Sequence, residues 1–356
     1  MGLTWEEALL AVVISGALNI GLTKLSIRQK IVESIPKGLK SSLLLSIGFF
    51  VFLVGLKLGN VVDVNTFTRW KFLHEEFWEK DSLLKGPLVM VVGLVVSTLL
   101  NIPRLRLPWG TLIGIIAGAI TCHVVGIKPP DYHSFGESTW YQTFFKVSFS
   151  AFFTLPFWSG VIVLFVIDFV GGISKIYALT EGTRIPREQD RVPGLKHALY
   201  VDGIATFFGG LFGTSSLIAF VESRIGIQAG GQTGIMAIVC GILMLAGGIF
   251  SDILVLVPPQ AASGVLIYVG ILLIRLNSKI LKEEESKKID IPIAMIMSIS
   301  VILTFQMDYA MLFGFLPYFI LSRQRGSSLQ STFWLGLVAI FLFITIIFQL
   351  IPIIIK

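Results

Sequence analysis

The stretch of this chain richest in reactive groups is 209–234, GGLFGTSSLIAFVESRIGIQAGGQTG. Three hydroxyls, Thr214, Ser215 and Ser216, precede a carboxylate, Glu222, that is set among apolar residues. Glycines at both ends predict a short helix with irregular backbone ahead of it. Within hydrocarbon, such backbone survives only where protein or a water-filled cavity satisfies its hydrogen bonds. Freed amides and hydroxyls of this kind suit a planar polar solute, and Glu222 could accept from its ring N–H groups. An ionisable group at membrane depth is costly, which favours a functional site. Close helix packing through glycine and serine, or pairing of Glu222 with Arg224, would explain the same residues without a solute.

Two further acids stand in apolar surroundings: Asp168 in VLFVIDFVGG and Asp202 in ALYVDGIATFFGG. Asp168 has no basic residue close by in sequence. A carboxyl so placed can titrate in a useful range and couple a proton to transport; the alternative is an acid that locks the fold by bonding to a neighbouring helix end. Asp308 falls at an expected helix break and reads as structural. Four scattered histidines form no metal constellation. No phosphate loop and no nucleophile–base spacing is present, so an enzyme is not expected. Glu283, Glu284 and Glu285 lie among lysines and read as a solvated loop.

These groups must be positioned by membrane-spanning helices. Hydrophobic residues make up 54% of the 356, and charged residues only 14%, against about 25% charged in soluble domains; the mean hydropathy is +0.84. Long unbroken apolar runs favour helices over an alternating barrel. They fall near 8–23, 41–58, 86–102, 109–126, 152–174, 198–213, 215–227, 232–257, 260–275, 291–305, 309–322 and 332–355. Several are shorter than the roughly 20 residues a span needs, as in the broken helices of transporters. Cys122 and Cys240 lie in such runs and are expected to be buried small residues rather than a disulfide or metal pair.

Basic residues cluster at 24–40, 104–106, 184–196, 275–288 and 323–325, which the positive-inside bias assigns to the cytoplasm. Arg28 is counted there, with Lys24, Lys30, Lys37 and Lys40. The stretches 59–85 and 127–145 then face outward, as does the amino terminus. The net charge of +6 records this loop asymmetry, and nothing suggests a nucleic-acid partner. A faint internal echo links AVVISG, Ile35-Pro36 and Ser46-Ile47-Gly48 with AIVCG, Val257-Pro258 and Tyr268-Val269-Gly270. Its two units would have opposite topology, as in inverted-repeat transporters.

The segment GTSSLIAFVESRIGIQAGGQTG resembles the signature of the AzgA-like hypoxanthine/guanine/adenine permeases, nucleobase–cation symporters related to uracil permease. GLTWEEALLAVVISG with SIRQKIVESIPKGLKSSLLLSIG is similar to that family's fourth and fifth helices. LKHALYVDGIATFFGGLFGTSS resembles its ninth helix entering the tenth, and VPPQAASGVLIYVG the start of its twelfth. The resemblance implies an all-α polytopic membrane protein with an inverted seven-plus-seven repeat of core and gate domains. It also implies a chain that begins at the fourth helix and is N-terminally incomplete.

On that reading, residues 1–25 and 146–257 are core helices, with the substrate segment at 209–234. Residues 26–145 and 258–330 are gate helices, and 331–356 form an additional apolar helix. The resemblance implies that Glu222 holds the base beside Phe220 and Val221. Thr214, Ser215 and Ser216 line the site, and Asp168 and Asp202 are the proton-coupling candidates. Gly171 occupies the position where the family usually carries an acid, with Asp168 one turn earlier. The implied activity is cation-coupled, proton-coupled by expectation, transport of a purine base across the cytoplasmic membrane by a homodimer with no cofactor. The alternatives are an anion transporter on the same fold and a non-transporting remnant.

Overall fold

A computed structural model describes residues 3–65, 69–72, 85–102, 109–127, 143–180, 194–220, 223–228, 230–231, 233–249, 257–283, 287–324 and 329–354. The described residues are mostly helical. In order they form α1 (Trp5–Lys24), α2 (Ile27–Ser34), α3 (Lys37–Leu58), α4 (Lys85–Leu100), α5 (Gly110–Val125), α6 (Leu155–Thr180) and α7 (Leu195–Leu211). These are followed by α8 (Ser223–Gln228), α9 (Gly234–Ile249), a 3-10 turn at Pro259–Ala262, α10 (Ser263–Glu283), α11 (Lys287–Thr304), α12 (Met307–Gln324) and α13 (Leu329–Ile354).

Most expected apolar runs become helices with ends shifted by a few residues. Three differences stand out. The basic stretch 24–40 is no simple loop: it holds α2, whose Ile27, Ile31 and following Ile35 recur at helical spacing and pack into the interior. The run 215–227 is not one helix; residues 212–220 are irregular and only α8 is helical. In the expected outward stretch 59–85, β1 (Val62–Asn65) pairs antiparallel with β2 (Arg69–Phe72), with Val62 opposite Phe72.

Among the described residues, two helices, Trp5–Lys24 and Gly38–Leu58, are long and apolar enough to cross a membrane, and eight shorter apolar helices accompany them. The distribution of polarity fits lipid. Ser15, Asn19, Thr23, Arg28, Ser42, Ser46, Ser97 and Asp168 are all buried. Apolar side chains face outward, as with Leu88, Val91, Val95 and Leu99 on α4 and Leu112, Ile116 and Ile120 on α5. Some buried hydroxyls are satisfied within their own helices: Ser42 donates to the Gly38 carbonyl at 2.7 Å and Ser46 to that of Ser42 at 2.9 Å, the back-bonding open to serine.

Small residues set the helix packing, because lipid offers helices no hydrophobic drive toward each other and close backbone contact must supply the attraction. A stripe of Gly86, Val89, Gly93 and Ser97 on α4 is buried, as is the stripe of Gly110, Gly114, Gly118 and Cys122 on α5. The 3-10 turn and α10 meet these two helices. A second close pair is α3 with α10, where Gly55 lies against Ile267 and Gly270 against Phe52. A third is α1 with α7, where Gly16 lies against Phe207 and Gly210 against Val13. The largest apolar cluster joins α2, α3, α6, α7, α11, α12 and α13, around Leu39, Phe169, Leu199, Met297, Phe315 and Leu342.

Cys122 is fully buried as expected, but Cys240 is exposed on α9. The reason is that α9 presents Ile235, Ile238, Val239, Ile242, Leu243, Met244 and Leu245 outward around its circumference. Glycine substitutions separate the two environments. A Cβ at Gly264 would run into the backbone of Met90 and Leu94, whereas one at Gly241 meets nothing within 4 Å. Gly264→Val is therefore expected to cost about 2 kcal/mol or more through overpacking and to lower the thermal midpoint of detergent-purified protein. Gly241→Ala is expected to leave that midpoint unchanged or raise it.

Candidate functional site

Three structural pieces converge on one acid. Asp168 sits in the second half of α6, 1% exposed. From α1, the Ser15 hydroxyl donates to its Oδ2 at 3.0 Å. From the irregular stretch, Ser216 lies near this carboxyl group. Asp168 Oδ1 is buried and without a hydrogen-bond partner among the described residues. A buried carboxylate oxygen left in this state is expensive, so it is a place where a proton or a solute N–H is favoured.

The irregular stretch owes its course to α7. The helix ends at Leu211, and Gly213 turns the chain at φ +85°, a left-handed conformation that costs glycine nothing. A Cβ there would also lie 2.5 Å from Thr143. The Thr214 amide donates to the Gly209 carbonyl at 2.9 Å, and the Thr206 hydroxyl to the Leu217 carbonyl at 3.0 Å. These two bonds hold residues 213–217 back along α7. Among the described residues the amides of Ser215 to Ala219 make no backbone hydrogen bond, which leaves them free for a ligand.

Residues 143–150 close this end of the site. Phe145 donates its amide to Leu211 at 2.7 Å and Thr143 its hydroxyl to Phe212 at 3.2 Å. Ser150 donates to Glu7 Oε1 at 2.7 Å. The start of α1 and the end of α7 are thereby fixed to the segment that leads into α6. Glu7 also completes a capping box with Thr4 at the first turn of α1, satisfying helix amides that would otherwise be orphaned.

Asp202, on α7, has a different partner. Its Oδ2 lies 2.9 Å from Arg28 Nη2, with both side chains buried. Arg28 also donates from Nη1 to the Leu199 carbonyl at 3.2 Å and stacks over Phe169, 5.4 Å from the ring centroid. A guanidinium paired in this way stays charged. Gly172 makes the room, since a Cβ there would lie 2.5 Å from Asp202 Oδ2 and 3.1 Å from Arg28 Nη2.

The other expected site residues are placed as follows. Gly171 is buried, and a Cβ on it would meet only Ile218 Cδ1 at 3.7 Å. Thr214, Ser215 and Phe220 are exposed. Glu222 and Val221 lie outside the described residues. Ser15 and Arg28 were not anticipated. Ser15 could have been suspected from the spacing of Ser15, Asn19 and Thr23, a polar face on an apolar helix. Arg28 could have been suspected from the Ile27, Ile31, Ile35 periodicity, which turns part of a basic loop into a packed helix. The His, Cys, Asp and Glu residues described form no group that could hold a metal ion.

This geometry sits on a chain whose residues 1–313 match the model of the Permease family, that of the xanthine/uracil permeases. The chain belongs to the Permease family. Membership makes it an integral membrane transporter. The permease is 26% identical to the adenine permease AdeQ of Escherichia coli, across 92% of this chain and 71% of that protein. It is also 26% identical to the guanine/hypoxanthine permease PbuG of Bacillus subtilis, across 91% and 72%. With the nucleobase transporter PlAzg2 of Paenibacillus larvae the identity is 28%, across 76% and 52%. In three dimensions it resembles the transmembrane domain of the cyanobacterial bicarbonate transporter BicA, with a TM-score of 0.55 over 96% of this chain and 77% of that one. At 14% identity that likeness is one of fold.

The two adjacent glycines of α6 give a sharp contrast. Gly171→Ala has room and gains helix propensity, by up to about 1 kcal/mol, so folded yield is expected to hold. Gly172→Ala displaces a buried ion pair and is expected to cost about 3 kcal/mol, read as a lower melting temperature and lower yield of monodisperse protein.

Proposed function

We propose that this permease carries a nucleobase, specifically a purine, across the cytoplasmic membrane, coupled to entry of a proton. Support comes from two sides. Relatives that cover most of the chain carry adenine and guanine/hypoxanthine. The observation that bears most weight is local: one acid, Asp168, accepts from Ser15 with Ser216 nearby, has an oxygen without a partner among the described residues, and lies beside backbone that no helix uses.

In this reading the seven-plus-seven inverted repeat divides the chain into core helices at 1–25 and 146–257 and gate helices at 26–145 and 258–330. Glu222 accepts the ring N–H groups of the base. The hydroxyls of Thr214, Ser215 and Ser216 and the free amides of 215–219 bind its polar edge, and Phe220 and Val221 adjoin it. Asp168 takes up the coupling proton at its unpartnered oxygen, which removes a buried charge during reorientation. Movement of the core against the gate then exposes the base to alternate sides.

The test is uptake of labelled adenine, guanine, hypoxanthine and uracil by a transport-deficient host expressing the full chain. Purine uptake, competed by unlabelled purines and collapsed by a protonophore, is the expected result. Competition by sulfate or dicarboxylates and not by bases would assign the cargo to anions instead. Glu222→Gln is expected to reduce purine uptake tenfold or more, from the loss of charge-assisted hydrogen bonds worth about 1.5–3 kcal/mol. Asp168→Asn is expected to remove the dependence on the proton gradient.

A further inference from the structure

We infer that Arg28, paired with Asp202 one helical turn from Asp168, is a positioning residue that holds the pH range of the permease in place by balancing the charge of Asp202. The inference rests on the reading of Asp168 as the coupling acid. The placement is fixed by α6 itself. Gly172 is four residues after Asp168, hence on the same face of the helix, where side chains at that spacing lie about 5–6 Å apart. The Arg28–Asp202 pair is packed directly on the Cα of Gly172, and the guanidinium covers Phe169, the residue after Asp168. Asp168 thus has an ion pair as its neighbour, and feels charge from both members.

Among the described residues few other charges are placed to act, Lys196 and His197 at the start of α7 lying well along the chain from Asp202. The face of α1 toward Asp168 carries Ser15, Asn19 and Thr23, none of them ionisable, and α13 has no ionisable residue along its length. The irregular stretch contributes Ser216. Lys175, further along α6, acts on Asp202. On α3 the lysines lie toward its ends, at Lys37, Lys40 and Lys57; the side chain of Arg224 on α8 and all of Glu222 lie outside the described residues. Arg28 cannot lose its proton in the physiological range, and its contact with Asp202 favours the ionised carboxylate, so the pair is balanced. A balanced pair perturbs Asp168 little. Half a pair perturbs it strongly, with a sign that depends on which half remains.

That sign separates an electrostatic role from a merely structural one. The measurement is the pH profile of labelled adenine uptake by the full chain, with infrared titration of the carboxyl groups in purified protein for any variant too slow to assay. Asp202→Asn leaves an uncompensated guanidinium, which favours ionised Asp168, so the profile is expected to move about one unit toward acid. Arg28→Gln leaves two acids without their cation. Whichever oxygen takes the first proton, the apparent profile moves about one unit toward alkali. The double variant Arg28→Gln/Asp202→Asn is neutral again and is expected to return the profile to within a few tenths of a unit of the unmodified protein. Arg28→Lys keeps the charge and is expected to keep the profile.

Single variants that lower uptake with unshifted or identically shifted profiles would show that the pair only braces the helices, and a shift in Arg28→Lys would also overturn the inference. Asp168→Asn keeps the two failures apart. If that variant retains the unmodified pH profile, Asp168 is not the coupling acid, whatever the Arg28 and Asp202 variants do.

Discussion

No charge enters an apolar interior alone: an isolated ion there costs many kcal/mol, and proteins either pair it or neutralise it. The pair of Arg28 with Asp202 is the form this constraint takes here, and much of the surrounding structure follows from it. The guanidinium needs a second acceptor and finds the Leu199 carbonyl. It needs an apolar lid for its faces and has Phe169. It needs space against α6, and Gly172 leaves that space. Through these contacts a short amphipathic helix, α2, is held on α6 and α7, while its Ile31 and the following Ile35 join the apolar cluster of α3 and α12. Asp168, a turn away, meets the constraint differently, through the Ser15 hydroxyl on one oxygen and, among the described residues, no hydrogen-bond partner on the other.

Much of the site could be read from residue types alone. The glycines around 209–234 foretold a short helix after irregular backbone, because glycine marks where a chain leaves helical geometry, and residues 212–220 followed by α8 have that form. Asp168 stood out because an acid among seven apolar neighbours must be explained by something. Its partners could not be read the same way. Ser15 is 153 residues distant in sequence and Arg28 is 174 residues from Asp202. Charge counting placed Arg28 with its lysine neighbours in a loop, since a positive-inside tally weighs basic residues without regard to which face of a helix they occupy.

The fold was legible to a similar depth. Apolar runs gave the helices, with boundaries that drift where a run ends in serine or glycine rather than in charge. Helix pairing was not legible, because in lipid the partner is chosen by small-residue stripes that look alike on every helix. Gly93 of α4 lies against Gly264 of α10, yet neither sequence neighbourhood names the other. The ribbon of β1 and β2 escaped notice because Val62–Asn65 and Arg69–Phe72 are too short to show a clear alternation.

The sequence distance spanned by the Arg28–Asp202 pair has a consequence for biogenesis. A ribosome adds about 5–20 residues per second, so on the order of ten seconds or more separates emergence of the arginine from that of its aspartate. Throughout that interval the cation lacks the carboxylate that balances it in the folded protein, and an unpaired guanidinium is costly in hydrocarbon. Insertion is therefore not finished span by span in the order of translation. An early segment docks late, and the nascent protein reaches its mature form only when a helix from its second half arrives to receive it.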